Sequence, residues 1–223
     1  MTTLARPIAW GVRIPARFAA HGTVMHSGAV AVGKAAVSDP VSEEDREDIS
    51  ASLRGDDSAY ARLIARYQPT IGQQMWKYSR DPLVVEELVQ EVFVESFVGL
   101  AQFRGQAPFV HWLRRIATRV GYRYWKKKSK RHEAEAILKR EAPDIAVPPD
   151  DASPREAAEW LHLLLAKLAP EDRLVLTLHY FEGLDMNSIA ERMGWTRTLA
   201  KVRAFRARKR LRVLLEESGY END

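Results

Sequence analysis

Two stretches of this chain mix cations and aromatic rings at spacings that suit a polyanion. Between 103 and 130 stand Arg104, Arg115, Arg119, Arg123 and Lys126, interleaved with Phe109, Tyr122 and Trp125; between 196 and 212 stand Arg197, Lys201, Arg203 and Arg206 among further basic residues. Clustered Lys and Arg gain affinity for phosphates by releasing counterions, and aromatic faces stack on unpaired bases of any sequence. A single basic run is ordinarily a solvated surface. Two runs, each with its own helical period and aromatics, point to nucleic acid. The formal charge of +4 is modest, but it is segregated. Acids outnumber bases two to one over 43–100, bases outnumber acids six to one over 101–140, and the sign reverses again over 141–172 before a basic C-terminal stretch.

Reactive chemistry finds less support. The 223 residues contain no cysteine, which excludes a disulfide, a thiol nucleophile and a thiolate metal site and suits a reducing compartment. There is no glycine-rich phosphate loop. His21 and His26 fall in an aperiodic N-terminal stretch, and His162 and His179 stand singly on helical patterns, where structural or surface histidines outnumber metal ligands. The expectation is no enzyme, no cofactor and no metal. No apolar run reaches the length of a membrane span, so no membrane insertion and a cytoplasmic location are expected.

The elements that must position the two basic runs are all helical. Residues 1–42 show no sustained period and are expected to be a disordered extension without a continuous hydrophobic signal region; Met25 is an alternative start. Ser42 with Asp45 reads as a helix start, and Asp57 as the cap of a helix carrying Tyr60, Leu63, Ile64 and Tyr67, which Pro69 is expected to break. Asp81 caps a long helix with Pro82 at its first position; Val85, Leu88, Val89, Val92, Phe93, Phe97 and Leu100 line its inner face and acids its outer face. A loop at 103–108 leads to a fourth helix from Phe109 into Lys128, with Trp112 on its apolar stripe beside Leu113 and Ile116. Four prolines and several acids make 141–154 an acidic linker. Beyond it, helices break at Pro170 and Gly183, and a short helix leads through Gly194 into a last helix at about 197–217, the spacing of a helix-turn-helix. The fold class expected is all-α, with small helical domains at 43–140 and 155–223.

These residues resemble a bacterial sigma-70-type sigma factor of the small extracytoplasmic-function (ECF) group. The first half carries the likeness at 86–93, 103–105 and 109–117, which look like region 2; the second carries it at 168–173, 180–184, 189–194 and 206–212, which look like region 4. The resemblance implies a subunit that docks on RNA polymerase core, melts promoter DNA and directs the start of transcription, with the clamp helices of the largest subunit and the flap as contacts and an anti-sigma factor as a further partner. Glu87, Gln90, Glu91 and Glu95 would meet the clamp helices. Arg104, Phe109, Arg115, Arg119, Tyr122, Arg123, Trp125 and Lys126 would hold the unpaired strand of the minus-10 element, a flipped base being received near 104–109. Thr196, Arg197, Thr198, Lys201, Arg203 and Arg206 would face the minus-35 duplex, some through phosphates alone. Trp112 is assigned to the core, and Tyr122 and Trp125 are the preferred strand contacts. Arg119 replaces the family's common Asn, and Leu199-Ala200-Lys201 its common Thr-Val-Lys, departures that bear on promoter sequence.

The competing reading is a helix-turn-helix repressor or activator that binds duplex DNA without being a polymerase subunit. The segment 103–130 discriminates against it, because a ligand-binding or dimerisation domain has no evident use for cations and aromatics suited to single strands. A third reading is an adaptor working through its acidic helix.

Overall fold

The chain was analysed as a computed structural model that describes residues 41–138 and 153–219. The expectations for 1–40 and for residues 141–152 of the linker lie outside the described residues. Those described form eight α-helices and no strand: α1 (Glu43–Leu53), α2 (Asp57–Met75), α3 (Pro82–Gly99), α4 (Phe109–Leu138), α5 (Pro154–Ala166), α6 (Pro170–Leu176), α7 (Met186–Met193) and α8 (Arg197–Glu217). A 3-10 turn follows α3 at Leu100–Gln102, and a wider π-helical turn extends α6 through Thr177–Phe181.

Short polar side chains start most of these helices by taking up orphan N–H groups. Ser42 accepts from the amide of Asp45, and Asp81 from that of Leu83 with Pro82 next in line. The cap of α2 is Asp56 and not Asp57: its carboxylate accepts from the amides of Ser58 and Ala59 at 2.9 and 3.3 Å. Ser153 and Glu156 form a reciprocal capping box with Pro154 in the first turn, so helix begins within the span expected to be linker. Proline's fixed φ suits that position.

Pro69 does not end α2, which runs through it to Met75. An internal proline costs about 3 kcal/mol. Ile71 and Met75, both wholly buried, are each worth roughly 1.5–3 kcal/mol, and they prolong the stripe of Tyr60, Leu63 and Ile64 into the same core. Tertiary burial therefore outweighs the local cost.

Around α2 pack α1, α3 and α4. The join to α1 is ionic: Arg66 donates to Asp45 at 2.6 Å and Asp48 at 2.9 Å, Arg62 reaches Asp48 at 2.7 Å, and the Tyr67 hydroxyl donates to Asp45 at 2.5 Å. The join to α4 includes a buried polar bridge in which Gln74 donates to the Arg114 carbonyl and the Thr118 hydroxyl, both at 3.2 Å. In the C-terminal half, α8 packs on α6 and α7 through a stripe of small buried residues, Ala200, Ala204 and Ala207. Close approach of the helices follows from those side chains. The buried apolar residues of both halves form one continuous cluster from Ile49 to Ala207.

Candidate nucleic-acid interface

The helix-turn-helix is built from α7, a turn over 194–196 and α8. Gly194 takes a left-handed φ of 66°, the conformation that lets the chain reverse after α7, and the Trp195 amide closes the turn on the Ala190 carbonyl at 2.8 Å. Thr196 then caps α8 by accepting from the Leu199 amide at 3.2 Å. Because Ala200, Ala204 and Ala207 turn inward, the opposite face looks outward with Arg197, Thr198, Lys201 and Arg206 exposed. Arg203 differs from these neighbours. It is half-buried, with its guanidinium 5.0 Å from the centroid of the Trp195 ring, so it is committed to packing the turn. Phe205 is exposed among the basic residues.

On α4 the cations at 115, 119, 123 and 126 recur on one exposed stripe, and Arg104 is exposed on the preceding loop. Lys126 lies 5.6 Å from the centroid of the Tyr122 ring. Arg123 is held by Glu91, at 2.8 Å, and by Glu95, both on α3. Burial acts against its charge, but the two carboxylates win and hold it more firmly protonated than usual. Arg123 is thus a strut between helices, and Glu91 and Glu95 are partly used inside the fold.

The aromatics fall differently from expectation. Phe109 has no exposed surface; it packs among Tyr67, Phe103 and Trp112 with ring centroids 5.3–5.6 Å apart, so it supports the loop from within and offers no face to DNA. Trp125 is 3 % exposed and lies in the core cluster. Its indole N–H donates to the Tyr78 carbonyl at 2.8 Å, its ring packs on Tyr78, and the guanidinium of Arg173 covers it at 4.0 Å. Trp112, assigned to the core, is only half-buried. A readable signal for Trp125 exists: it continues the stripe Leu113, Ala117, Gly121 by four-residue steps, and a Cβ at Gly121 would stand 2.3 Å from the Tyr78 ring. The glycine admits the tyrosine, and the tyrosine receives the tryptophan. Tyr122 is half-exposed, and its hydroxyl donates to Glu171 on α6 at 2.5 Å. Burial and the Glu171 carboxylate both push that phenol well above its ordinary range.

The outer face of α3 carries Glu87 and Gln90, both exposed, beside apolar residues that periodicity alone did not single out: Leu83, Val94 and Val98 are 72 %, 59 % and 77 % exposed. Phe97, expected inside, is 46 % exposed and meets Tyr60 edge-on. A mixed apolar and acidic helix face of this kind suits a protein partner better than a polyanion.

The two histidines of the second half are taken up within the fold. His162 contacts Arg173 and its pKa is pushed down to about 3, by burial first and then by the cations Arg173, Arg80 and Lys128. His179 engages the Leu184 carbonyl at 2.9 Å. No group of three metal-ligating side chains occurs among the described residues. None of the described helices is long and apolar enough to cross a membrane.

Comparison with known proteins places both halves. The family profile for sigma-70 region 2 matches residues 63–131, and that for sigma-70 region 4 matches 158–211. The chain is 28 % identical to the RNA polymerase sigma-H factor of Pseudomonas aeruginosa over 189 residues, 79 % of this chain and 98 % of that one. It is likewise 28 % identical to the ECF RNA polymerase sigma-E factor of Haemophilus influenzae over 166 residues, 70 % of this chain and 87 % of the relative. Among solved structures, the fold is similar to that in the complex of CnrH with the cytosolic domain of CnrY, with a TM-score of 0.50 at 23 % identity, covering 78 % of this chain and 99 % of that chain.

Proposed function

Because the chain belongs to the sigma-70 family of bacterial RNA polymerase sigma factors, of the ECF type, we propose that it docks on core polymerase, opens promoter DNA at the minus-10 element and anchors upstream on the minus-35 duplex. The observation that carries this reading is the order of its parts: a basic, aromatic-bearing α4 behind an acidic and apolar α3 face, followed by a helix-turn-helix with a basic outer face. A repressor would use the last of these and leave the first two without work.

The geometry supports the following division of labour. Glu87 and Gln90, with Leu83, Val94 and Val98 around them, supply a desolvatable centre and a polar rim for the clamp helices of the largest subunit. The region 4 half would seat on the flap. Arg104, Arg115, Arg119 and Lys126 track the phosphates of the unpaired strand, and Tyr122 and Trp125 present rings to its bases once uncovered. Unpairing itself needs no bond chemistry. A strand whose bases find stacking and charge on the protein gains about 1–3 kcal/mol per stacked base, which offsets part of the cost of leaving the duplex. Arg197, Thr198, Lys201 and Arg206 face the upstream duplex, with Thr196 fixing the helix N-terminus against it. The protein is read as a cytoplasmic, non-catalytic regulator, and an anti-sigma factor is its expected antagonist.

The test is to mix the purified chain with core polymerase lacking its own sigma subunit and to transcribe a library of genomic fragments. Specific initiated transcripts are expected, and they would define the promoter. DNA binding without association with core would overturn the reading in favour of a free-standing DNA-binding regulator.

A further inference from the structure

Away from both basic surfaces, a small cavity of about 100 Å³ lies between the end of α2 and helices α5 and α6. Its walls are largely apolar, with Trp76, Leu161 and Phe181 among them, yet the cations Lys77, Arg80 and Arg173 also line it. None of the described side chains around it is acidic. Lys77 has a partner close by, the Glu182 carboxylate at 3.7 Å, whereas Arg80 is exposed and pairs with no carboxylate among the described residues. Arg80 is also near enough to Arg173 for the two charges to repel.

Arg173 lacks the partner expected of a buried cation. It is 6 % exposed, its Nε has no hydrogen-bond acceptor, and its head group meets the Trp125 ring at 4.0 Å and the His162 ring at 3.1 Å. The imidazole brings no opposite charge, and it is neutral at neutral pH, its pKa held down to about 3 by burial and then by the surrounding cations. Burial also pushes the Arg173 guanidinium down, to about 10, which leaves it charged at neutral pH. A buried charge without a counter-charge is costly, and the fork of a guanidinium matches a carboxylate. Free phosphate suits the cavity less well, because apolar walls cannot replace the hydration that a dianion gives up. The volume sets the size of the ligand. A cavity of about 150 Å³ holds a benzene ring, so this smaller one fits a short branched chain.

We infer that this cavity is a binding site for a short-chain aliphatic monocarboxylate, whose carboxylate meets the Arg173 guanidinium in the field of Arg80 while its alkyl end lies against Trp76, Leu161 and Phe181. The site stands apart from the promoter contacts and does not depend on how they are assigned. It gives the unpaired buried cation a partner and the apolar walls an occupant. Because Trp76 and Arg80 come from the first half and Leu161, Arg173 and Phe181 from the second, a bound carboxylate stabilises the arrangement that encloses it, by mass action.

The test uses isobutyrate as the probe, isobutyramide as its neutral isostere and inorganic phosphate as the competing anion, each added to the full chain at neutral pH and fixed ionic strength. Binding is read by calorimetry and by the ring-proton NMR signal of His162, identified by its loss in His162→Gln. Saturable isobutyrate binding that moves this signal is expected. Arg173→Met should weaken that binding by about tenfold or more, the loss of a charge-assisted hydrogen bond. Ala158 also lines the cavity, so Ala158→Leu, which fills space and alters no charge, should remove binding while helical content is kept. Should Arg173→Met fail to fold, Ala158→Leu and the neutral isostere decide the matter. A His162 signal that isobutyrate leaves unmoved would overturn the inference, as would equal binding by the parent and Ala158→Leu. Isobutyramide binding as tightly as isobutyrate would show a cavity with no use for the charge, and phosphate moving the signal at equal or lower concentration would show the wrong class of anion; either result overturns the assignment.

Discussion

Arg66 is the residue on which the α1–α2 junction turns. It serves Asp45 and Asp48, which are 3 % and 4 % exposed, and Glu44 at the surface. Replacing it with Ala leaves Asp45 to the Tyr67 hydroxyl and Asp48 to Arg62 alone, and a loss of about 1.5–3 kcal/mol is expected by urea denaturation. The same cluster sets an acid limit. Burial pushes the Asp48 carboxyl up, but hydrogen bonds from Arg62 and Arg66 outweigh it and hold the group below its usual 3.8. A carboxylate depressed in the folded state stabilises fully above its unfolded value and loses that contribution as pH falls through the lower folded value. Stability should therefore drop below about pH 4, and Asp48→Asn should flatten that drop; an unchanged acid profile would remove Asp48 from the account. Gly121→Ala is expected to cost about 1–3 kcal/mol by overpacking, because the new methyl would meet the Tyr78 ring at 2.3 Å. Its signature is a red-shifted tryptophan emission as Trp125 loses its seat.

At the scale of elements, α8 divides its cations between two tasks. Arg197 and Lys201 are free at the surface, whereas Arg203 packs on Trp195. Changing Arg197 and Lys201 to Ala should leave folding stability within about 1 kcal/mol of the parent and lower the salt slope of duplex binding by about 1 for each phosphate no longer neutralised. Arg203→Ala should lower the melting temperature as well as affinity; a purely affinity-based loss would put Arg203 back among the residues that touch DNA. On α3, Val94→Asp with Val98→Asp should weaken core binding while sparing helicity, since both side chains are already largely in solvent. Unchanged co-elution with core would show that the clamp helices bind elsewhere.

The whole molecule carries a second pH response, from His162 on α5. Its folded pKa of about 3 lies below the ordinary 6.5, through burial and then the repulsion of Arg173 and of Arg80 and Lys128 from the first half. The unfolded chain binds a proton that the folded chain refuses, so stability falls as pH drops from about 6.5 toward 3, by at most about 1.4 kcal/mol per unit and less after solvent screening. His162→Gln should abolish the slope between pH 6.5 and 5. A slope that survives would locate the titrating group outside this junction.

Periodicity and caps were sufficient for most of the helices, because a helix is largely decided by neighbours three and four residues away: Asp81 with Pro82, Gly194, and the α3 stripe apart from Phe97 needed no distant information. The two basic surfaces and their family likeness were equally local. What lay beyond local reading were the positions decided by distant burial. Pro69 is tolerated because Ile71 and Met75 reach a core assembled from four helices. Phe109 and Trp112 share one helix and one residue class, and only the packing of Tyr67 and Phe103 around them determines which ring keeps exposure, whereas the burial of Trp125 was legible from its four-residue stripe. Likewise, a sequence can show that Arg123, Arg203 and Lys126 are cations, but whether each is a strut, a packing piece or a free charge depends on which acids and rings the fold brings beside it. Side-chain identity is a property of the chain; availability to a partner is a property of three-dimensional packing, and it was set by the tertiary structure alone.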